Sequence, residues 1–200
     1  MMTLERADLI KRGRRLQYFA IFFNCLEALI SITAGLLAGS VSLVGFGLDS
    51  VIEVTSGGAI LWRLRDESAE RFALRIVGWC FLSLAAYLAL DSAMMFYRHE
   101  EAQRSIIGIM IAGASIIVMP ILARAKRKVA AGLGSSAMHA DSRQSDFCTY
   151  LSSILLCGLV LNAAFGWWWA DPAAALAMSP VIAKEGIDAL KGKQCADCAC

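Results

Sequence analysis

Six windows of about 20 apolar residues fill this chain almost end to end, and a helix of that length is what crosses the hydrocarbon core of a bilayer. They lie near Tyr18–Leu37, Val41–Trp62, Phe72–Met94, Ile106–Ala123, Ala137–Phe165 and Pro172–Ile187. Inside lipid the backbone has to satisfy its own hydrogen bonds, which windows of this length do as α-helices. The expectation is therefore an all-α, polytopic membrane protein. Six transmembrane helices occupy residues 16–190, after a basic N-terminus at 1–15 and before a Cys-rich tail at 191–200. At 200 residues and 58% hydrophobic, the chain leaves no room for a second soluble domain. The first window is too long and too internal to read as a cleaved signal peptide.

Charge placement orients the bundle. Arg6, Lys11, Arg12, Arg14 and Arg15 precede the first window, Arg63, Arg65, Arg71 and Arg75 surround the link from the second to the third, and Arg124, Lys126, Arg127 and Lys128 follow the fourth. Lys184, Lys191 and Lys193 lie at the C-terminal end, whereas the opposite connections carry only Arg98 and Arg104. By the positive-inside rule both termini are expected to be cytoplasmic, and the membrane expected is a cell membrane, the inner one if the chain is bacterial. The basic runs thus set topology, and nucleic acid is excluded as a partner. Lipid is the solvent of the whole chain.

Against this apolar background Asp49 and Glu53 stand one helical turn apart in GSVSLVGFGLDSVIEVTSGG. A charged side chain in the bilayer core costs several kcal/mol and is kept mainly for work on ions or protons. Two carboxylates at i, i+4 share a helix face and repel unless a cation or protons neutralise them. With a rise of about 1.5 Å per residue, Asp49 lies ~14 Å and Glu53 ~20 Å below the outer surface of a core roughly 30 Å thick. The fifth window runs the other way, and the same arithmetic puts Cys148 at ~12 Å and Gln144 at ~18 Å. Two antiparallel helices then present i, i+4 donor pairs at one level, which suits a four-ligand cation site.

At about 100° per residue Gln144 and Cys148 share a face, flanked by Asp141 and Ser152, while Arg143 and Asp146 fall on the far side and can pair with each other. Asn24 and Glu27 lie at a similar depth in the first window. Glu27 is open as an orienting group, a proton acceptor or a partner for Arg143. Polar groups such as Gln144 can also act simply as hydrogen-bonding glue between helices, and a membrane Cys as a small apolar residue. Asp171 before Pro172 reads as a helix N-cap. Trp167, Trp168 and Trp169 read as an interfacial belt. The tail KGKQCADCAC spaces Cys195, Cys198 and Cys200 as half of a zinc or copper(I) site, either capturing cytoplasmic metal or closing a disordered end.

The chain resembles the cation diffusion facilitator (cation efflux) family from about Arg15 to Gly192. The residues that carry the likeness are GSVSLVGFGLDSVIE with Asp49 and Glu53, the run from Gly134 to Asp141 followed by Gln144, Cys148 and Ser152, and the Asp-Pro entry to the last window. It is most similar to short bacterial members made of transmembrane helices alone, without the cytoplasmic domain, so any homodimer would form through membrane helices. The resemblance implies a secondary transporter, not an enzyme, that exports a divalent cation in exchange for protons. Well-studied members have His and Asp where this chain has Gln144 and Cys148. Two carboxylates with a thiolate suit Zn²⁺ first, with Cd²⁺, Co²⁺, Fe²⁺ or Ni²⁺ as other cargoes, over Mg²⁺ or Ca²⁺. The cargo is a substrate, and no resident cofactor is expected. The alternative is a non-transporting membrane sensor or buffer that binds metal and modulates a partner. An enzyme would need a nucleophile–base constellation, and the only histidines, His99 and His139, lie outside the membrane core.

Overall fold

The computed structural model describes residues 2–63, 70–99, 102–134 and 136–191, and all the secondary structure in them is helical. The helices are α1 (Met2–Ala38), α2 (Val41–Arg63), α3 (Glu70–Arg98), α4 (Ile106–Leu133), α5 (Ser136–Phe165) and α6 (Ala170–Leu190). Four stretches are long and apolar enough to cross a membrane: Ala7–Ala38, Gly78–Arg98, Ile106–Leu133 and Asp141–Phe165. The other two helices, α2 and α6, carry charged residues along their length. The tail cysteines Cys195, Cys198 and Cys200 lie outside the described residues.

Helix ends follow local chemistry. Ser105 caps α4 by accepting the Gly108 amide at 3.1 Å. Gly134 closes it in a left-handed conformation, φ 60°, donating its amide toward Ala130 and Ala131. Two helices run further than hydropathy implied. Helix α1 continues without a break through the basic N-terminal segment, and α4 passes Ala123 to end at Leu133. A hydropathy window stops where charges begin, but helix propensity does not, since Lys and Arg are good helix formers.

The bundle shows apolar side chains on its outside and buries small polar ones among the apolar side chains within. Leu29, Leu36, Leu37, Ile106, Met110, Ile117 and Ile121 face outward, while Ser31, Ser42, Ser50, Ser92, Ser115, Ser142, Ser145 and Ser152 are buried. Lipid offers apolar side chains as good a home as another helix does, so close packing and hydrogen bonds hold the helices together. Helix α1 packs most extensively on α2, α3 on α6 and α4 on α5; α1 also meets α4, and α2 meets α5. Glycines set the tightest crossings. A Cβ on Gly47 would come within 2.7 Å of Ile32 Cγ1 and 2.9 Å of its backbone nitrogen, and one on Gly35 within 2.8 Å of the Val44 nitrogen. The apolar interior is filled by Leu43, Phe46, Phe81, Leu88, Leu151, Leu155, Leu159, Met178 and Ile182.

The three tryptophans form a cluster that also engages α3. Trp167 and Trp169 stack on each other, and Trp168 packs on Phe96 and His99 from the end of α3. Asp171 is one residue inside α6, so it is not the cap of its own helix as the sequence suggested. It caps α2 instead, accepting the Val41 amide at 3.0 Å and the hydroxyls of Ser40 and Ser42 at 2.5 Å each. The positive end of α2 attracts a carboxylate from a neighbour as readily as from its own chain start.

A candidate cation site between α1, α2, α4 and α5

Helix α2 turns Asp49 and Glu53 inward, leaving the two residues 0% and 6% exposed. From α5, the fully buried Cys148 thiol donates to Asp49 Oδ2 at 3.2 Å. From α1, Asn24 Nδ2 donates to Glu53 Oε2 at 2.6 Å. Gln144 lines a small polar crevice together with Glu53, Asn24, Gln17, Lys126 and Asp141. The antiparallel run of α2 and α5 therefore places the two i, i+4 pairs side by side.

Glu27, also fully buried, accepts a hydrogen bond from Ser115 of α4. It does not wait for Arg143, which is exposed on the far side of α5. Asp146 is held by Arg127 of α4 in an ion pair between helices at a half-exposed position. Ser152 donates its hydroxyl at 2.7 Å to the carbonyl of Cys148, one turn back on its own helix. That bond commits its proton to the backbone, away from the acids. His139 is exposed, beyond Asp141 on the same helix.

Several acceptors here are unfinished. Among the described residues, Asp49 Oδ1, Glu27 Oε2, Asn24 Oδ1 and Gln17 Oε1 are buried without a hydrogen-bond donor, and Gln144 Nε2 is buried without an acceptor. Buried polar atoms are almost always paired, so several left open beside the two acids make this part of the bundle a candidate binding place. The donors do not yet close on one point: among the described residues, no three His, Cys, Asp or Glu side chains form a group that could hold a metal as they stand. Cys148 and Asn24 each occupy a carboxylate oxygen with a neutral donor, the position a cation would take over.

Three contributors escaped the sequence reading: Ser115, Gln17 and above all Lys126. Lys126 is 3% exposed, forming an ion pair with Asp141 at 2.8 Å and donating to Ser145 at 3.3 Å. A signal for it did exist. Met119, Leu122, Ala123, Lys126, Val129 and Ala130 follow the helical period that defines the buried face of α4.

The cation efflux transmembrane domain, as a family pattern, matches residues 18–192 of this sequence. The chain belongs to the cation efflux family. It is similar to the cation-efflux pump FieF of Shewanella oneidensis, 25% identical over 101 residues that cover 48% of this chain and 34% of that protein. The match thus spans about a third of that relative's length. The likeness of the sequence to cation diffusion facilitators is borne out at the level of family, and with it a multi-pass helical membrane protein.

Proposed function

We propose that this cation efflux protein is a secondary transporter that moves a divalent transition-metal cation, zinc foremost, out of the cytoplasm in exchange for protons. Asp49, Glu53, Gln144 and Cys148 are the ligands of the travelling ion, and Asn24, Glu27 and Asp141 support them. The observation that carries this reading is the pair of buried acids one turn apart, met by neutral donors and surrounded by oxygens that have none. Such a pair is costly until a cation or protons complete it.

Metal and proton then compete for the same oxygens. Facing the cytoplasm, the acids release protons and take M²⁺; facing outward, external protons displace it. One M²⁺ balances the two carboxylate protons it displaces, and the proton that Cys148 gives up on binding as a thiolate leaves the loaded site only one charge more negative than the protonated one. All six helices cross the membrane in this reading, with both termini cytoplasmic, as the basic residues in the first turns of α1 and the last turns of α4 support.

Reconstitution into vesicles tests the exchange. With an acidic interior, Zn²⁺ supplied outside accumulates inside, and an ionophore that collapses the proton gradient stops it. Lowering pH on the metal-loading side slows uptake, because protonated carboxylates do not bind M²⁺. Tight Zn²⁺ binding with no gradient-driven movement would replace this reading with that of a sensor or buffer.

A further inference from the structure

Lys126 is a full positive charge buried beside a cluster of acids. Its ammonium sits 2.8 Å from Asp141 Oδ2 and 3.3 Å from Ser145 Oγ, and the residue is 3% exposed. The crevice it lines is also lined by Glu53, Asn24 and Gln144. Because Lys126 and Glu53 line one crevice, the charge that pairs with Asp141 is also felt at Glu53. Burying a lysine is expensive, and a structural ion pair needs only one carboxylate. Here the pair lines the same crevice as Glu53, the second acid of α2.

We propose that Lys126 is a tethered competitor for the transported cation: its ammonium partly neutralises Glu53 when the site is empty, and an arriving ion must drive that charge fully onto Asp141. This rests on the reading of Asp49 and Glu53 as the ion's ligands. Lys126 is then a positioning and specificity-determining residue, acting through Glu53 and never touching the metal. A monovalent cation brings no more charge than the ammonium already present and gains little by displacing its influence. A divalent cation brings twice that charge, and Coulomb energy scales with it. The lysine thus raises the threshold for abundant monovalent ions while leaving the site open to a scarce divalent one.

Charge arithmetic separates this role from a structural one. Equilibrium Zn²⁺ binding would be measured on the purified full chain at neutral pH, in low salt and again with added potassium chloride. Lys126→Gln tightens Zn²⁺ binding about tenfold in low salt, because a nearby positive charge is gone. The same variant becomes more sensitive than wild type to potassium over sodium-free choline chloride at equal ionic strength. Asp141→Asn weakens binding by a similar factor, since Lys126 loses the partner that draws it from Glu53. The double variant binds like Lys126→Gln, to within about threefold, because Asp141 acts through Lys126 and has no ammonium left to draw away. Lys126→Arg keeps the charge and stays near wild type. If both single variants weaken binding and the double variant is weaker still, the pair only holds α4 to α5 and the inference fails. Should Lys126→Gln not fold, the direction of Asp141→Asn and the behaviour of Lys126→Arg decide it. Wild-type protein without Zn²⁺ binding would overturn the ligand assignment itself; wild-type binding unmoved by these changes overturns the role of Lys126 alone.

Discussion

Two buried carboxylates on this chain have opposite fates. Asp171, at the start of α6, is fully enclosed and fully answered, receiving two serine hydroxyls and the first amide of α2. Asp49, also fully enclosed, receives one thiol and keeps an oxygen with no donor. Burial is the same and the donor count differs. A buried acid finished by fixed donors is a structural fastener, whereas one left short is a place for a cation or a proton. The contrast explains why the first can join two helix ends while the second leaves an oxygen open inside the bundle.

Breaking each acid in turn should separate binding from stability. Asp49→Asn is the largest effect: Zn²⁺ affinity falls by more than about 100-fold, beyond what losing an outer partner costs. Thermal stability is retained or increased, because a repulsive charge has been removed from beside Glu53. Asp171→Ala does the reverse, destabilising the fold by about 3 kcal/mol, as three buried donors lose their acceptor, while Zn²⁺ affinity in the folded fraction is unchanged. Equal losses of binding from both substitutions would sink the comparison.

Smaller changes sharpen it. Cys148→Ser keeps size and the hydrogen bond to Asp49 but hardens the donor. The preference for Cd²⁺ over Mn²⁺ in competition binding drops about tenfold. An unchanged preference would mean that the thiol does not reach the ion. Ser152→Ala is the smallest, with metal affinity within about twofold of wild type, because its hydroxyl already serves the Cys148 carbonyl. A loss approaching that of Cys148→Ser would show that this hydroxyl turns toward the acids when the ion arrives.

The sequence carried the helices and the levels well. Depth counting placed Asp49 opposite Cys148 from 99 residues away in the chain, and the two are in hydrogen-bond contact. Straight helices with a fixed rise make such counting reliable across a bilayer. Phase also separated Asp146 from the acids, but its partner Arg127 on α4 was out of reach of any argument confined to α5. Lys126 was misplaced for a related reason. Within a run of four basic residues it looks like its solvated neighbours, and only its register with Met119, Leu122 and Ala123 turns it inward. Asp171 failed differently, because a local cap and a cap on a neighbouring helix have the same sequence signature. Contacts between helices decide these cases, and a single sequence holds only the period, not the neighbour.

The glycine crossings of α1 and α2 carry one more consequence. Gly47 lies two residues from Asp49, and a side chain there would strike the α1 backbone at Ile32. Substituting it forces the two helices apart at the depth of the acids and moves Asn24 away from Glu53. In a saturation screen for metal resistance, Gly35 and Gly47 would therefore be as intolerant as Asp49 and Glu53. What distinguishes them is the pattern of rescue: growth at reduced temperature restores a strained crossing, but no change of temperature gives back a missing carboxylate.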